Sequence, residues 1–341
     1  MRLWDCPRAF FDLRVSQRFV LLEILTYICG LIYVHTYNGD LNMNDPAMKE
    51  TYVVGVDVGG THLRSAVFDV TNGTLCTPPL TTPVDSHAGA LEIVSMWVSN
   101  VRSTIDAFDA RVRCVGLAFP GPFDYRRGVS LIEGVAKYES VYGLNVKESM
   151  LSMLPSRISE MRFVNDASAF ALGEALYGVA KGDDRVIALT LGTGVGSGFV
   201  DGGKLVTDSP DVPANGWVYC LPFEDGIVDD AFSTRWIVRR YSELTGEAVP
   251  GAKEVADRYP TDAAAKQVFA EYGSRLGDFL APLLERFRCG SVVLGGNISR
   301  AFPLFSPSLE KSIADKGIYT RIRVSSLIDN AAVIGAASLF L

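Results

Sequence analysis

One local pattern occurs in both halves of the chain: an apolar run enters a cluster of glycines and resumes as a second apolar run. In the first copy, residues 53–58 carry Asp57 near their end, Gly59, Gly60 and Thr61 follow, and residues 63–68 continue the run. In the second, residues 186–191 lead into Gly192, Thr193, Gly194, Gly196 and Gly198, and Phe199-Val200 carries on. Each copy reads as a β-hairpin whose glycine turn leaves backbone N–H groups uncovered. Bare amides beside a hydroxyl and a carboxylate can hold a phosphate and, through water, its magnesium ion. Asp-x-Gly-Gly-Thr alone also fits a plain hairpin turn; the second copy raises the phosphate reading above it. Gly194-x-Gly196 has the spacing of a dinucleotide fingerprint, but that motif must open a helix, and here the strand continues. The Rossmann reading fails on context.

Two further segments bear on chemistry. The run Phe163-Val164-Asn165-Asp166 is a short strand that delivers an Asn-Asp pair to the start of an alanine-rich helix. Asp166 either caps that helix or stands as a general base at a strand end, facing a cleft. Residues 291–294 form a second buried strand, and Gly295-Gly296-Asn297 after it lets a flat ring approach the backbone closely.

In this order the segments resemble the ROK family of sugar kinases and sugar-responsive repressors, part of the actin-like, hexokinase-type ATPase superfamily. The resemblance covers residues 52–341. Asp57, Gly59, Gly60, Thr61 and Arg64 resemble the family's first phosphate loop, and Thr193 and Gly194 lie in what resembles the second. Gly295, Gly296 and Asn297 look like the adenosine segment. Pro120 and Gly121, within residues 116–124, resemble the sugar-side loop, and Asn165-Asp166 with Gly173-Glu174 matches the catalytic segment. The resemblance implies an α/β, two-domain actin-like ATPase (ribonuclease-H-like) fold with a nucleotide and sugar cleft between the domains. It places a smaller domain at 51–165, a larger one at 166–326 and a joint helix at 327–341. It implies ATP and Mg²⁺, transfer to the 6-hydroxyl of a hexose with glucose first, and Asp166 as general base. An N-acetylhexosamine (N-acetylglucosamine or N-acetylmannosamine) is the alternative substrate, and a non-catalytic sugar-binding protein the alternative class. A homodimer is expected. A repressor would need a helix-turn-helix ahead of residue 51, and none is recognisable there.

Departures from the family pattern matter as much. Members with a structural zinc carry a histidine and three cysteines where this chain has residues 214–229. Cys220 stands at the first cysteine position, Pro222 and Ile227 occupy the other two, and no histidine follows His87. One thiolate cannot make a four-ligand site, so no structural zinc is expected. The family's pocket glutamate and histidine give way to residues 215–219, and its second glutamate appears as Asp229, identified by its spacing to Ser233. Such changes alter which hydroxyl pattern fits.

Composition agrees with a cytoplasmic enzyme, and the resemblance implies a part in carbohydrate metabolism. The 341 residues leave room for two domains, the net charge of −7 and absence of a basic stripe argue against nucleic acid, and the six cysteines lack paired spacing. Residues 1–50 do not fit the rest. Residues 19–34 are mostly apolar but short for a span and broken by Glu23. The expectation is an upstream start, with Met43 or Met48 beginning the protein and no membrane association. Elsewhere, helices are predicted over 90–108, 232–244, 266–288 (kinked or broken at Pro282) and 331–337, and a buried strand over 114–119.

Overall fold

The structure, a computed structural model, describes residues 51–108 and 112–341. The expectations for residues 1–50 lie outside the described residues.

The first glycine hairpin forms as the alternation predicts. Strands β1 (Tyr52–Val58) and β2 (His62–Asp69) pair antiparallel, from Tyr52 against Asp69 to Val58 against Leu63. Short strands β3 (Thr74–Leu75) and β4 (Leu80–Pro83) line the outer edge of β2. Helix α1 (Ala90–Asp106) buries Ile93, Trp97, Val101 and Ile105 along one stripe, the spacing of an amphipathic helix. It returns the chain to β5 (Cys114–Phe119), parallel to β1 and buried throughout. A small hairpin of β6 (Phe123–Asp124) and β7 (Val129–Ser130) and helix α2 (Val146–Met153) precede β8 (Glu160–Asn165), parallel to β5. The sheet runs β3-β2-β1-β5-β8.

Helix α3 (Asp166–Leu176) leads to a second sheet built on the same plan. Strands β9 (Arg185–Leu191) and β10 (Val195–Asp201) form the second glycine hairpin, with β11 (Lys204–Leu205) at its edge. The hairpin of β12 (Pro222–Phe223) and β13 (Gly226–Ile227) is followed by helices α4 (Val228–Phe232), α5 (Thr234–Thr245), α6 (Ala252–Arg258) and α7 (Ala263–Phe287). Strand β14 (Ser291–Gly295) pairs parallel with β9, and after α8 (Phe302–Ala314) β15 (Arg321–Val324) pairs parallel with β14. The order is β11-β10-β9-β14-β15. Both sheets therefore read edge, antiparallel, centre, parallel, parallel, which is the ribonuclease-H-like order of the actin-like fold.

Helix boundaries fall close to the predicted ones, with one difference. The long helix α7 runs unbroken through Pro282. Proline forfeits one backbone hydrogen bond there, but Phe279, Leu280, Leu283 and Leu284 around it are all buried, and tertiary packing holds the helix across the site.

The last helix, α9 (Ala331–Ala337), lies against both β1 and β5 of the first sheet and against α3. The approach is backbone to backbone. A Cβ at Gly116 of β5 would stand 2.0 Å from the Ala336 carbonyl oxygen, and one at Gly335 would stand 1.8 Å from that of Ala169. Only glycine permits such contact.

Candidate active site

The ends of β8 and α3 set the chemistry. Asn165, not Asp166, is the helix N-cap: its side-chain oxygen accepts from the N–H groups of Ala167 at 3.1 Å and Ser168 at 3.3 Å. Its amide nitrogen donates to the Tyr125 hydroxyl at 3.3 Å, and that hydroxyl donates to the Phe119 carbonyl at 3.1 Å. With capping done by its neighbour, Asp166 starts the helix and turns its carboxylate into a cleft, one oxygen accepting from Ala167 N–H at 2.9 Å.

The cleft holds two cavities that share Asp166, Ala167 and Thr190. The cavity of about 670 Å³ is lined by Pro120, Gly121, Asn165, Thr193, Gly194 and Asp229, together with Lys137, Trp217, Tyr219 and Arg235. The other, about 480 Å³, is lined by Asp57, Gly59, Gly295, Gly296 and Asn297, together with Phe170, Arg300, Ser325 and Asp329. The predicted sugar-side residues thus meet in one cavity and the predicted adenosine residues in the other.

Electrostatics separates the acids from ordinary surface carboxylates. Enclosure raises the Asp57 carboxyl from 3.8 to about 7; the Asp166 charge adds to this, Arg64 opposes it, and Asp329 raises it further. The Asp166 carboxyl is also raised, first by enclosure, while the Ala167 N–H, the Lys137 ammonium and the Asn165 side chain pull it down. Asp166 is exposed to the cleft.

Several predicted residues take parts the sequence did not disclose. The Asp229 carboxylate lies on the sugar-side wall, where one oxygen accepts from Val195 N–H at 2.7 Å and the other from Arg235 at 2.7 Å. Arg235 also donates to the Thr193 carbonyl at 3.0 Å, so this pair props the second glycine turn. Arg64 and Thr61 line neither cavity. Arg64 donates to Asn330 at 3.2 and 2.9 Å, just ahead of α9, and the exposed Thr61 hydroxyl lies 2.9 Å from His62 Nδ1. Gly60 sits under the stem of Lys137. The flat ring found against Gly295 is the protein's own: a Cβ there would meet Phe170 at 2.4 Å.

Sequence reasoning missed Lys137, Arg235, Arg300 and Asp329. Arg235 carried no readable signal: it lies six residues after Asp229, on the next helix beyond Ser233, and only pairs three or four apart face each other on one helix. Lys137 carried none. It sits in a loop without periodicity and reaches the cleft only because Tyr138 folds back onto Gly59, donating to its carbonyl at 2.5 Å.

A sequence profile of the ROK family matches residues 53–341. A glucokinase of Thermotoga maritima is 25% identical over 324 residues, covering 86% of this chain and 98% of its own. An N-acetyl-D-glucosamine kinase of Mannheimia succiniciproducens is 26% identical over 314 residues, covering 84% and 98%. Among solved structures, a ROK glucokinase of Streptomyces griseus in complex with glucose and AMPPNP superposes with a TM-score of 0.64 at 25% identity, covering 84% of this chain and 98% of the other.

Proposed function

Because the chain belongs to the ROK family, we propose that it transfers the γ-phosphoryl group of ATP to the 6-hydroxyl of a hexose, with glucose as first substrate. The coarser reading, an ATP-dependent sugar kinase, is supported by the names of its relatives. The observation that carries it furthest is the position of Asp166 on the shared wall of both cavities. A carboxylate there reaches an acceptor hydroxyl on one side and faces the donor's phosphates on the other.

The residues at the nucleotide side fit a magnesium ion. Among the described residues no N–H or hydroxyl donates to the Asp57 carboxylate, and the neighbouring charges of Asp166 and Asp329 leave the spot short of positive charge. No three His, Cys, Asp or Glu side chains among the described residues converge tightly enough to ligate an ion directly. Asp57 would therefore hold it through its water shell. When bound, magnesium neutralises charge on the phosphate oxygens.

The chain's own residues do the rest. Asp166 accepts the proton of the sugar hydroxyl, a task that requires its ionised form. The Gly60 amide and the Thr193-Gly194 turn would hold phosphate oxygens from the two sheets, whereas the Gly59 N–H is already given to the His62 carbonyl at 2.9 Å. Pro120, Gly121 and Asn165 would bound the sugar. Closure of the cleft on sugar binding would keep bulk water from competing as acceptor.

An N-acetylhexosamine is the second reading. Asp229 is drawn onto Arg235 and Val195, and an aspartate in place of the family's longer glutamate would leave space that a 2-acetamido group could fill. Measurement of kcat/KM for glucose, mannose, fructose and the two acetamido sugars tests the choice. Glucose is expected to lead. An acetamido sugar preferred by more than ~10-fold, about 1.4 kcal/mol of transition-state preference, would replace it.

A further inference from the structure

We propose that Lys137 is a catalytic residue that contacts the phosphoryl group in flight; this rests on the kinase reading above. Lys137 belongs to no sequence motif of the site, yet three observations bring it to the sugar-side cavity, the base and the first glycine turn. It lines the sugar-side cavity. Its charge is felt by Asp166, whose carboxyl it pulls down. Its aliphatic stem crosses the first glycine turn, with Cδ 3.6 Å from where a Cβ on Gly60 would stand. A side chain that touches the phosphate turn and faces the base spans the line along which the phosphoryl group must move.

The lysine is also presented rather than left to wander. Tyr138 beside it is fully buried, packed on Trp97 with centroids 5.5 Å apart. Tyr138 donates through its hydroxyl to Gly59 and through its N–H to the Ser86 carbonyl at 2.7 Å. Ala136 and Tyr138, on either side, hold left-handed backbone at φ of 55° and 56°. Such conformations are costly for residues with a Cβ and gather at functional sites. Among the described residues no carboxylate lies within salt-bridge distance of the Lys137 ammonium, whereas Arg235, the other cation of this cavity, is committed to Asp229. Lys137 is the cation left to receive a new anion.

The loose transition state spreads the transferring group's charge over three equatorial oxygens in passage between donor and acceptor, so a fixed ammonium that meets them there lowers the barrier more than it tightens ground-state binding. Atoms balance without the lysine changing state: the bond of ATP between the γ-phosphorus and the bridging oxygen breaks, that oxygen leaves with ADP, the bond from phosphorus to the sugar oxygen forms, the proton goes to Asp166, and Lys137 stays protonated.

The test compares Lys137→Met, Lys137→Gln and Lys137→Arg with the wild-type full-length chain, on the best hexose from the panel above. Loss of kcat by ~10²–10³-fold in Lys137→Met and Lys137→Gln, with KM for sugar and ATP within about threefold and partial recovery in Lys137→Arg, is expected. Unchanged thermal melting would separate this from misfolding, and should one neutral variant melt early, the other carries the comparison. A neutral variant that keeps kcat within about threefold overturns the proposal. So does one that raises only the KM for the sugar, which would make Lys137 a sugar-binding residue. A wild-type chain that phosphorylates no hexose would instead overturn the kinase reading itself.

Discussion

At the scale of single residues, the account turns on two carboxylates with different duties. Burial holds the Asp57 proton in the folded protein up to about 7, against an ordinary value of 3.8. Between those values the unfolded chain has released a proton that the folded chain keeps, so this group's contribution to stability falls as pH rises through the window. Asp57→Asn is therefore expected to melt higher than wild type at pH 8 and equally at pH 3, while losing kinase activity. Equal melting at both pH values would mean that the carboxyl is solvated as on the surface. Asp166 has to be ionised to act, and enclosure raises its carboxyl, so the acid limb of kcat/KM should lie above the range of an ordinary aspartate. Asp166→Asn should fold, bind sugar and lose at least ~10²-fold in kcat; near-normal turnover would return Asp166 to a merely structural place at the helix start. The pairing of an apolar strand with Asn-Asp made this corner legible in sequence. Which of the two residues caps the helix was not legible, because either side chain can do it; the cap is Asn165.

At the scale of elements, the segment where relatives with zinc carry their ligands is closed here by ordinary packing. Pro222 and Ile227, at two of the cysteine positions, pair with each other across the β12–β13 hairpin. Arg275 of α7 donates to both carboxylate oxygens of Glu224 in its turn, at 3.0 and 2.6 Å, and its guanidinium lies 4.5 Å from the Trp236 ring centroid. Phe223 packs on Phe232 and Phe279. Elemental analysis of dialysed protein should find no stoichiometric zinc, and chelator should leave the melting temperature unchanged. One retained zinc per chain would show the hairpin to be misread. Arg275→Ala should cost about 1–2 kcal/mol, more than an exposed ion pair alone because ring packing goes with it. The missing ligands were plain in the sequence. Their replacement was not, since Arg275 and Glu224 lie far apart in the chain and nothing local announces that they meet.

At the scale of the whole described chain, one plan used twice accounts for the cleft. Each sheet offers a glycine turn between its antiparallel strands, and helices α3 and α9 lie between the sheets' working ends. Through Gly116 and Gly335, α9 presses on the strand beside β1 and on α3 at once, which ties the frame of Asp57 to that of Asp166. Gly335→Ala would force a Cβ into the Ala169 carbonyl and should destabilise by about 1–3 kcal/mol or more. It should lower kcat in the surviving folded fraction as well, measured per active site by nucleotide binding. Undiminished kcat there would detach α9 from the geometry of the site. Duplicated strand–glycine–strand signals and the small-residue helix showed this architecture in the sequence, because both depend on local pattern. The sharing of Asp166 between two cavities depends on how distant segments converge, and no period encodes it. The central claim is transfer from ATP to a sugar hydroxyl held at Asp166, and the direct measurement is NMR of the product formed from ATP and the best hexose. A phosphoester at carbon 6, made by wild type and nearly absent with Asp166→Asn, is the expected result. A folded protein that binds sugar and ATP but makes no phosphoester, or an Asp166→Asn variant that makes it at the wild-type rate, would contradict the account.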